Sequence, residues 1–566
     1  MKPILLLALF AGTLSCRTVL VKPDRSRLPG PQPHTATGAP RALGTTMPPG
    51  SSAPATTATP DARPEIVALR TQAAAVLEEQ AELYWQSWVF GRPLDLATAY
   101  CGHDSLFTPA AVRALRQAAA QSAGDDQRAL TDLADYVAGE IVAKATAADA
   151  VRVDKLESTT TVTVDDEQHA WKDLAELIAG EPNAERRAHL FAAGLPLLSA
   201  IAPLVEDQTR RRDQAIRALG FRSAAAFAEE LRGARLGSLL TLAQTTLDQT
   251  QALYVSTMNR LSMQDLALPL SKMRQSDLGR LMRFGGADGA FPAKAVASIA
   301  RGVFTSLGTP IAGQKGLTLS SAAQAQKNPL PVCFPVDPPA DVRVSLVPTG
   351  GLEYLRELLH ELAHAELYLH ERQPRWELRI LGGDVSVEAT ALLFSDLADD
   401  PAFLRTAAGM KGPKLEDLVR RGNARRLLGI RRAAARVEFE VARLEDRAAH
   451  PAELYRRLMS RALGFALTAD ESRRWVIDRS ELAGSADDLR AALAAVQLER
   501  AFEQRFGATW WRSKAAGALL QSIWSRGTQP TVDELLGFVG EKAVSPDALV
   551  STLTERLWGA PGGARP

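Results

Sequence analysis

Two histidines four residues apart enclose a glutamate in the run His360-Glu361-Leu362-Ala363-His364. On a helix, residues four apart share a face, so two imidazoles there can grip one Zn²⁺ while Glu361 stands beside the metal as a general base. The chain has only 8 His in 566 residues, so an H-E-x-x-H run is an uncommon accident in it. A catalytic zinc site also needs a third protein ligand and an open position. Glu388 follows His364 by 24 residues (388 − 364), inside the apolar run Val385, Val387, Ala389, Ala391, Leu392, Leu393, Phe394. Burying that carboxylate unpaired would be costly, and a metal would remove the cost. The chemistry these residues suggest is metal-assisted hydrolysis, with Glu361 moving the protons.

The elements that must position them are legible as periodicity. From Gly351 onward, Leu352, Tyr354, Leu355, Leu358, Leu359, Leu362, Ala363 and Leu367 recur at three- and four-residue spacing, which predicts a helix over about 352–372. Gly350-Gly351 gives a flexible entry and Pro374 lies past the end. A second helix is expected to open at Asp384 or Ser386, either of which could cap it, and to present Glu388 from an antiparallel neighbour. Further helical runs are expected at 109–145, 184–235, 238–262, 414–447, 452–467, 486–505 and 509–526. Strand candidates are few: Thr159–Val164 and a pair around 331–347. No internal repeat stands out.

Two such histidines plus a glutamate about 25 residues on resemble the gluzincin metallopeptidases, most closely the thimet oligopeptidase and oligoendopeptidase F family and the angiotensin-converting-enzyme-like family. Other segments are similar too: Arg210-Arg211-Arg212 followed by Leu219-Gly220-Phe221, the stretch Pro329–Gly351 ahead of the zinc helix, and Phe506-Gly507, Trp510-Trp511 and Ala516-Gly517. The likeness spans residues 65 to 550, with the zinc motif as its specific part. It implies a mainly α, bilobed helical metallopeptidase fold with a deep central cleft and a small β-sheet beside the zinc helix. It implies one Zn²⁺ per chain on His360, His364 and Glu388, Glu361 as catalytic base, and short, unfolded peptides as substrates. The strand near Asp341–Leu346 could hold peptide backbone by strand addition.

The family also carries a Tyr on a C-terminal helix that donates to the oxyanion. The matching segment here, Ser485-Ala486-Asp487-Asp488-Leu489, has none, and only Tyr368 and Tyr455 follow the zinc motif. Both read first as packing residues. Losing such a donor typically costs about 10²–10³ in rate. Ala363 stands where many relatives have Gly. Three readings therefore stand side by side: an active zinc peptidase, a zinc-binding but weak or inactive relative serving as a peptide-binding or scaffold protein, and an unrelated helical protein with a coincidental motif.

The N-terminus speaks of export. A short positive start (Met1-Lys2-Pro3), an apolar run (Ile4–Phe10) and Gly12-Thr13-Leu14-Ser15-Cys16 form a signal peptide over 1–16. Cys after small residues resembles a bacterial lipobox, making Cys16 a lipidation site; Thr13 departs from that pattern, so a plain secretory or periplasmic signal is the alternative. Arg17 favours the outer membrane by the same analogy. Residues 17–64, rich in Pro, Thr and Ser, read as a disordered tether, and 65–566 as the helical domain in two lobes. No later run offers 18 consecutive apolar residues, so the N-terminal lipid would be the membrane contact.

Charge and cysteine complete the picture. Lys+Arg 66 against Asp+Glu 65 argues against nucleic acid as a partner, and the Arg210–Arg212 run reads as a solvated face or ion pairs. Cys101 and Cys333 could pair in an oxidising compartment or remain as two buried thiols. His370 is expected at the surface, His103 and Asp104 in a structural loop, and His450 in a turn. Trp85, Trp88, Trp510, Trp511 and Trp524 are expected in the core, and Asp384 as a cap rather than a partner of a zinc histidine. Composition does not set the oligomeric state.

Overall fold

The computed structural model describes residues 63–283 and 288–559; the signal peptide, Cys16 and nearly all of the tether lie outside them. Among the described residues, thirteen α-helices have eleven or more residues. They are α1 (Pro64–Phe90), α2 (Pro109–Ala120), α3 (Gly124–Thr159), α4 (Ala184–Ala218), α5 (Leu236–Leu266), α6 (Ala293–Leu307), α7 (Leu352–His370), α8 (Asp384–Ser395), α9 (Gly412–Leu444), α10 (Pro451–Leu463), α11 (Ser485–Phe506), α12 (Lys514–Trp524) and α13 (Asp547–Trp558). The protein is thus mostly helical, with two small sheets.

The helical runs break where local chemistry demands it. The run expected over 109–145 divides between α2 and α3 at Gly124, which has φ +60°. The 184–235 run ends at Ala218, turns through Gly220 at φ +95°, and restarts behind Ser223, whose side chain accepts from Ala226 N–H. α4 is long and apolar enough to cross a membrane by length and composition, yet it carries Pro196 and Pro203 and packs along α3.

β1 (Thr161–Val164) and β2 (Glu167–Ala170) form a hairpin. The second sheet runs β3 (Leu317–Ser320), β5 (Asp341–Ser345), β4 (Val332–Asp337), with β5 in the middle, parallel to β3 and antiparallel to β4. This corrects the expected role of Asp341–Leu346: a central strand has both edges paired, so β5 cannot take an added strand, and the sheet's edges belong to β3 and β4. Val342 and Val344 are buried under α7 on one face; Phe334 and Val336 meet Trp85 and Trp88 of α1 on the other.

Two large hydrophobic cores result. One gathers α1–α5, α10 and α13; the other gathers α6, α7, α8, α12 and the three-stranded sheet. α9 and α11 serve both: Leu415 and Leu418 lie in the second core, Leu427 and Val437 in the first. α7, carrying His360 and His364, packs on α8, carrying Glu388, and α8 packs in turn on α11.

Candidate metal centre

The start of α7 is fixed by a close approach. Gly351 donates its N–H to Phe291 O at 2.7 Å, and a Cβ on Gly350 (φ +78°) would sit 2.8 Å from both Phe291 O and Ala293 N, so only glycine fits. α8 is set as tightly. Gly383, at φ +63°, precedes its first turn, and a Cβ there would overlap Thr528 O. Ser386 Oγ donates to Pro530 O at 2.6 Å, locking that turn to the C-terminal segment. Glu388 then falls half a turn further on and faces α7.

The expected ligands converge. His360 Nε2 and His364 Nε2 are 3.0 Å apart, and each is 3.6 Å from Glu388 Oε2. For a tetrahedral zinc with bonds of about 2.0–2.2 Å, ligand atoms stand roughly 3.3–3.6 Å apart. Both histidine–glutamate edges fall within that size, and the 3.0 Å histidine–histidine edge is about 0.3 Å shorter than it. Among buried side-chain atoms without a hydrogen-bond partner are His364 Nδ1 and Glu388 Oε1, so the protein alone leaves this cluster incompletely satisfied. Residue types and spacing suit zinc, and Glu388 Oε1 is free to join it; His364 Nδ1 is the ring nitrogen facing away from the triangle, which a metal on Nε2 would not satisfy.

Electrostatics agree. Burial pushes both histidines down to about 4; at His360 the Glu388 carboxylate opposes this and His364 adds to it. Both imidazoles therefore stay neutral near pH 7, the form a metal requires. Burial raises Glu388, His360 offsets part of the rise, and the charge of Asp384 adds to it. Glu361 is raised well above the usual carboxylate range, by burial first, then by Glu357 and Glu388, against the pull of a hydrogen bond. That bond comes from Cys333 N–H on β4, 2.7 Å from Glu361 Oε2.

Two participants escape sequence reasoning. Cys333 contributes its backbone, which no side-chain pattern announces. Glu357 lies one turn before His360 and Glu361 on the same face of α7; it is partly exposed and makes no hydrogen bond or ion pair among the described residues. Burial, then Glu353, raises its pKa to about 7; Arg356 and Arg425 lower it and Glu388 raises it. Its helical spacing from His360 was the available signal.

Other residues fall elsewhere. Tyr455 is buried in the first core and donates to Asp478 Oδ2 at 2.6 Å, away from the triad. Tyr368 is buried in the second core. In the segment without Tyr, Ser485 and Asp488 bond Arg436, and Asp487 pairs with Arg232. Asp384 does not cap α8: Gly383 holds the N-cap position, and no side-chain cap bond forms. His370 is half-buried rather than fully at the surface. Its ring stacks obliquely on Trp524 with centroids 5.6 Å apart, and its Nδ1 meets Glu366 O at 2.9 Å. Nor are there two buried thiols or a bridge: Cys333 is buried, Cys101 is exposed, and no disulfide joins them.

The five tryptophans are buried as expected, Arg210–Arg212 make ion pairs, and His450 precedes α10 at its N-cap position. A second acidic group, Asp400, Glu499 and Glu503, already surrounds a cation: Arg556 lies 2.9, 2.7 and 3.3 Å from their oxygens. No known family's sequence pattern matches this chain, and no curated protein matches it either.

Proposed function

We propose that this chain is a zinc-dependent peptidase acting on short peptides. The observation that carries the reading is the 3.0–3.6 Å triangle of His360, His364 and Glu388 with Glu361 adjoining it on the helix. His360, His364 and Glu388 would hold one Zn²⁺ per chain. Bound there, zinc would supply Lewis acidity to a substrate carbonyl and to water. Glu361 would take the proton of the attacking water and deliver it to the leaving amine. The Cys333 N–H fixes the carboxylate of Glu361 and leaves its other oxygen for that exchange.

The resemblance to gluzincins supports the reading, and two hydrophobic cores joined by α9 and α11 suit a bilobed molecule with its cleft above α7. Backbone recognition moves from β5 to the edge of β4. Its outward Cys333 N–H is taken by Glu361, and Pro335, next outward, has none. A peptide there would donate its own N–H groups to the strand's carbonyls. Lipidation of Cys16 would tether the enzyme to the bacterial cell envelope, at the outer membrane; secretion into the periplasm is the alternative.

A second reading has its own observation. The segment 485–489 lacks Tyr and Tyr455 is committed to Asp478, so no tyrosine of the expected kind serves the triad. That favours a zinc-binding but weak or inactive relative that holds peptides. Metal analysis and a quenched-peptide library decide. The peptidase reading expects about one zinc per chain, lost in His364→Ala, and cleavage abolished in Glu361→Gln with zinc retained. Zinc without cleavage of any peptide would leave the binding protein; no zinc after reloading would sink both.

A further inference from the structure

Solvent reaches α7 along one stripe. Glu353, Glu357, His360 and Glu361 are partly exposed, whereas Leu355, Leu358, Leu359 and Leu362 between them are buried. The spacing places the four on one helix face, and the stripe closes at buried His364. The open side of the triad therefore continues over Glu357. With a rise of 1.5 Å per residue, Glu357 sits about 4.5 Å along the axis from His360 and about 6 Å from Glu361. That is within roughly two residues of extended peptide from the reacting carbonyl.

The charges along this stripe balance at every point but one. Glu353 pairs with Arg425 and lies 3.6 Å from Arg356, which also pairs with Asp399 at 2.6 Å, so two guanidiniums face two carboxylates. Glu361 and Glu388, as carboxylates, would together match the charge of one Zn²⁺ if His360 and His364 held it. Glu357 is partly exposed and has no ion-pair partner among the described residues; Arg356 and Arg425, committed to Glu353 and Asp399, offset only part of its charge. An uncompensated carboxylate in such a place is costly, and a cation arriving with the substrate would relieve it.

We infer that Glu357 is a specificity residue that receives a cationic group of the substrate beside the scissile bond, either a free α-ammonium or a lysine or arginine side chain. The inference rests on the peptidase reading, and the pairing it calls for is a charge-assisted hydrogen bond from ammonium or guanidinium to the Glu357 carboxylate.

The test uses zinc-loaded full-length protein carrying Glu361→Gln, which can bind without cleaving. Isothermal titration would compare four matched peptides: free N-terminus, N-acetylated, and N-acetylated with lysine or arginine at the residue next to the scissile bond. One or more cationic peptides should bind at least about tenfold more tightly than the neutral acetylated one. The arm showing the preference identifies the source of the charge. Adding Glu357→Gln should erase the preference while the neutral peptide's affinity and the zinc content stay unchanged. A preference that persists in the double variant, or none in the parent, overturns the role of Glu357 and leaves the peptidase reading intact. Zinc loss, or failure of every peptide to bind, overturns the peptidase reading and this inference with it.

Discussion

Replacing Glu357 with glutamine should make the metal-free protein more stable, and only above mildly acidic pH. The native carboxyl titrates near 7 because of burial and Glu353, against an ordinary 4.5. A folded value above the unfolded one means that the native state binds the proton more tightly. The penalty is absent while both states are protonated, below about pH 4.5, grows between 4.5 and 7, and is constant above. The separation of about 2.5 units at 1.36 kcal/mol each gives a plateau of at most about 3 kcal/mol, partial exposure reducing it. Glutamine keeps the shape and never ionises, so Glu357→Gln should recover that amount. With about 490 described residues and ~2.1 cal/mol/K of unfolding entropy per residue, 1 kcal/mol corresponds to about 1 °C. Melting of chelator-treated wild type and variant should therefore coincide at pH 4.5 and differ by up to about 3 °C at pH 8. Glu361 and Glu388 titrate in both proteins, and losing the Glu357 charge also relieves the rise it imposes on Glu361, which acts in the same direction. Equal melting temperatures at pH 8, or a variant that melts lower there, would refute the claim that this carboxylate lacks compensation.

Other outcomes can be checked independently. Tyr455→Phe removes a hydrogen bond to a carboxylate held down to about pH 2, after burial's opposing push, by Arg432 and Arg436; it should cost about 1–3 kcal/mol in denaturant titrations and leave zinc content and turnover unchanged. Gly383→Ala forces a Cβ onto Thr528 O at a left-handed position, so calorimetry should show zinc affinity falling at least about tenfold as α8 shifts. A thiol reagent applied to the native protein should modify Cys101 rapidly and Cys333 only after unfolding, read by peptide mass mapping.

What the chain discloses in advance follows from how far each feature reaches. His360 and His364 were legible because four-residue spacing on an apolar helix is a local property, and Glu388 because a carboxylate among valines and alanines calls for a partner. β3 was missed: Leu317–Ser320 is a four-residue edge strand, half exposed, with no alternation strong enough to announce it. β2 was missed because Glu167-Gln168-His169 reads as a polar turn, although Val162 pairs with His169 across the hairpin. The order of the three-stranded sheet, and hence the failure of strand addition at β5, depends on a parallel contact between segments far apart in sequence. Cys333 could not be foreseen, since its contribution is an amide that every residue but proline possesses. Glu357 resembled an ordinary solvated helix residue until the third dimension showed which arginines its neighbours had already claimed.

The seam between Gly383 and the Thr528–Pro530 segment has a consequence for biogenesis. The two histidines belong to one helix and can approach each other as soon as it winds. Glu388 is different, because its helix is seated against backbone made some 140 residues later. A chain crossing a membrane N-terminus first would present an incomplete trio until nearly all of it had emerged. Any hydrolytic power would then be withheld until translocation is almost complete, protecting the export machinery and the emerging chain itself. A product clipped before residue 528 would keep its H-E-x-x-H intact and lose the seat of its partner helix.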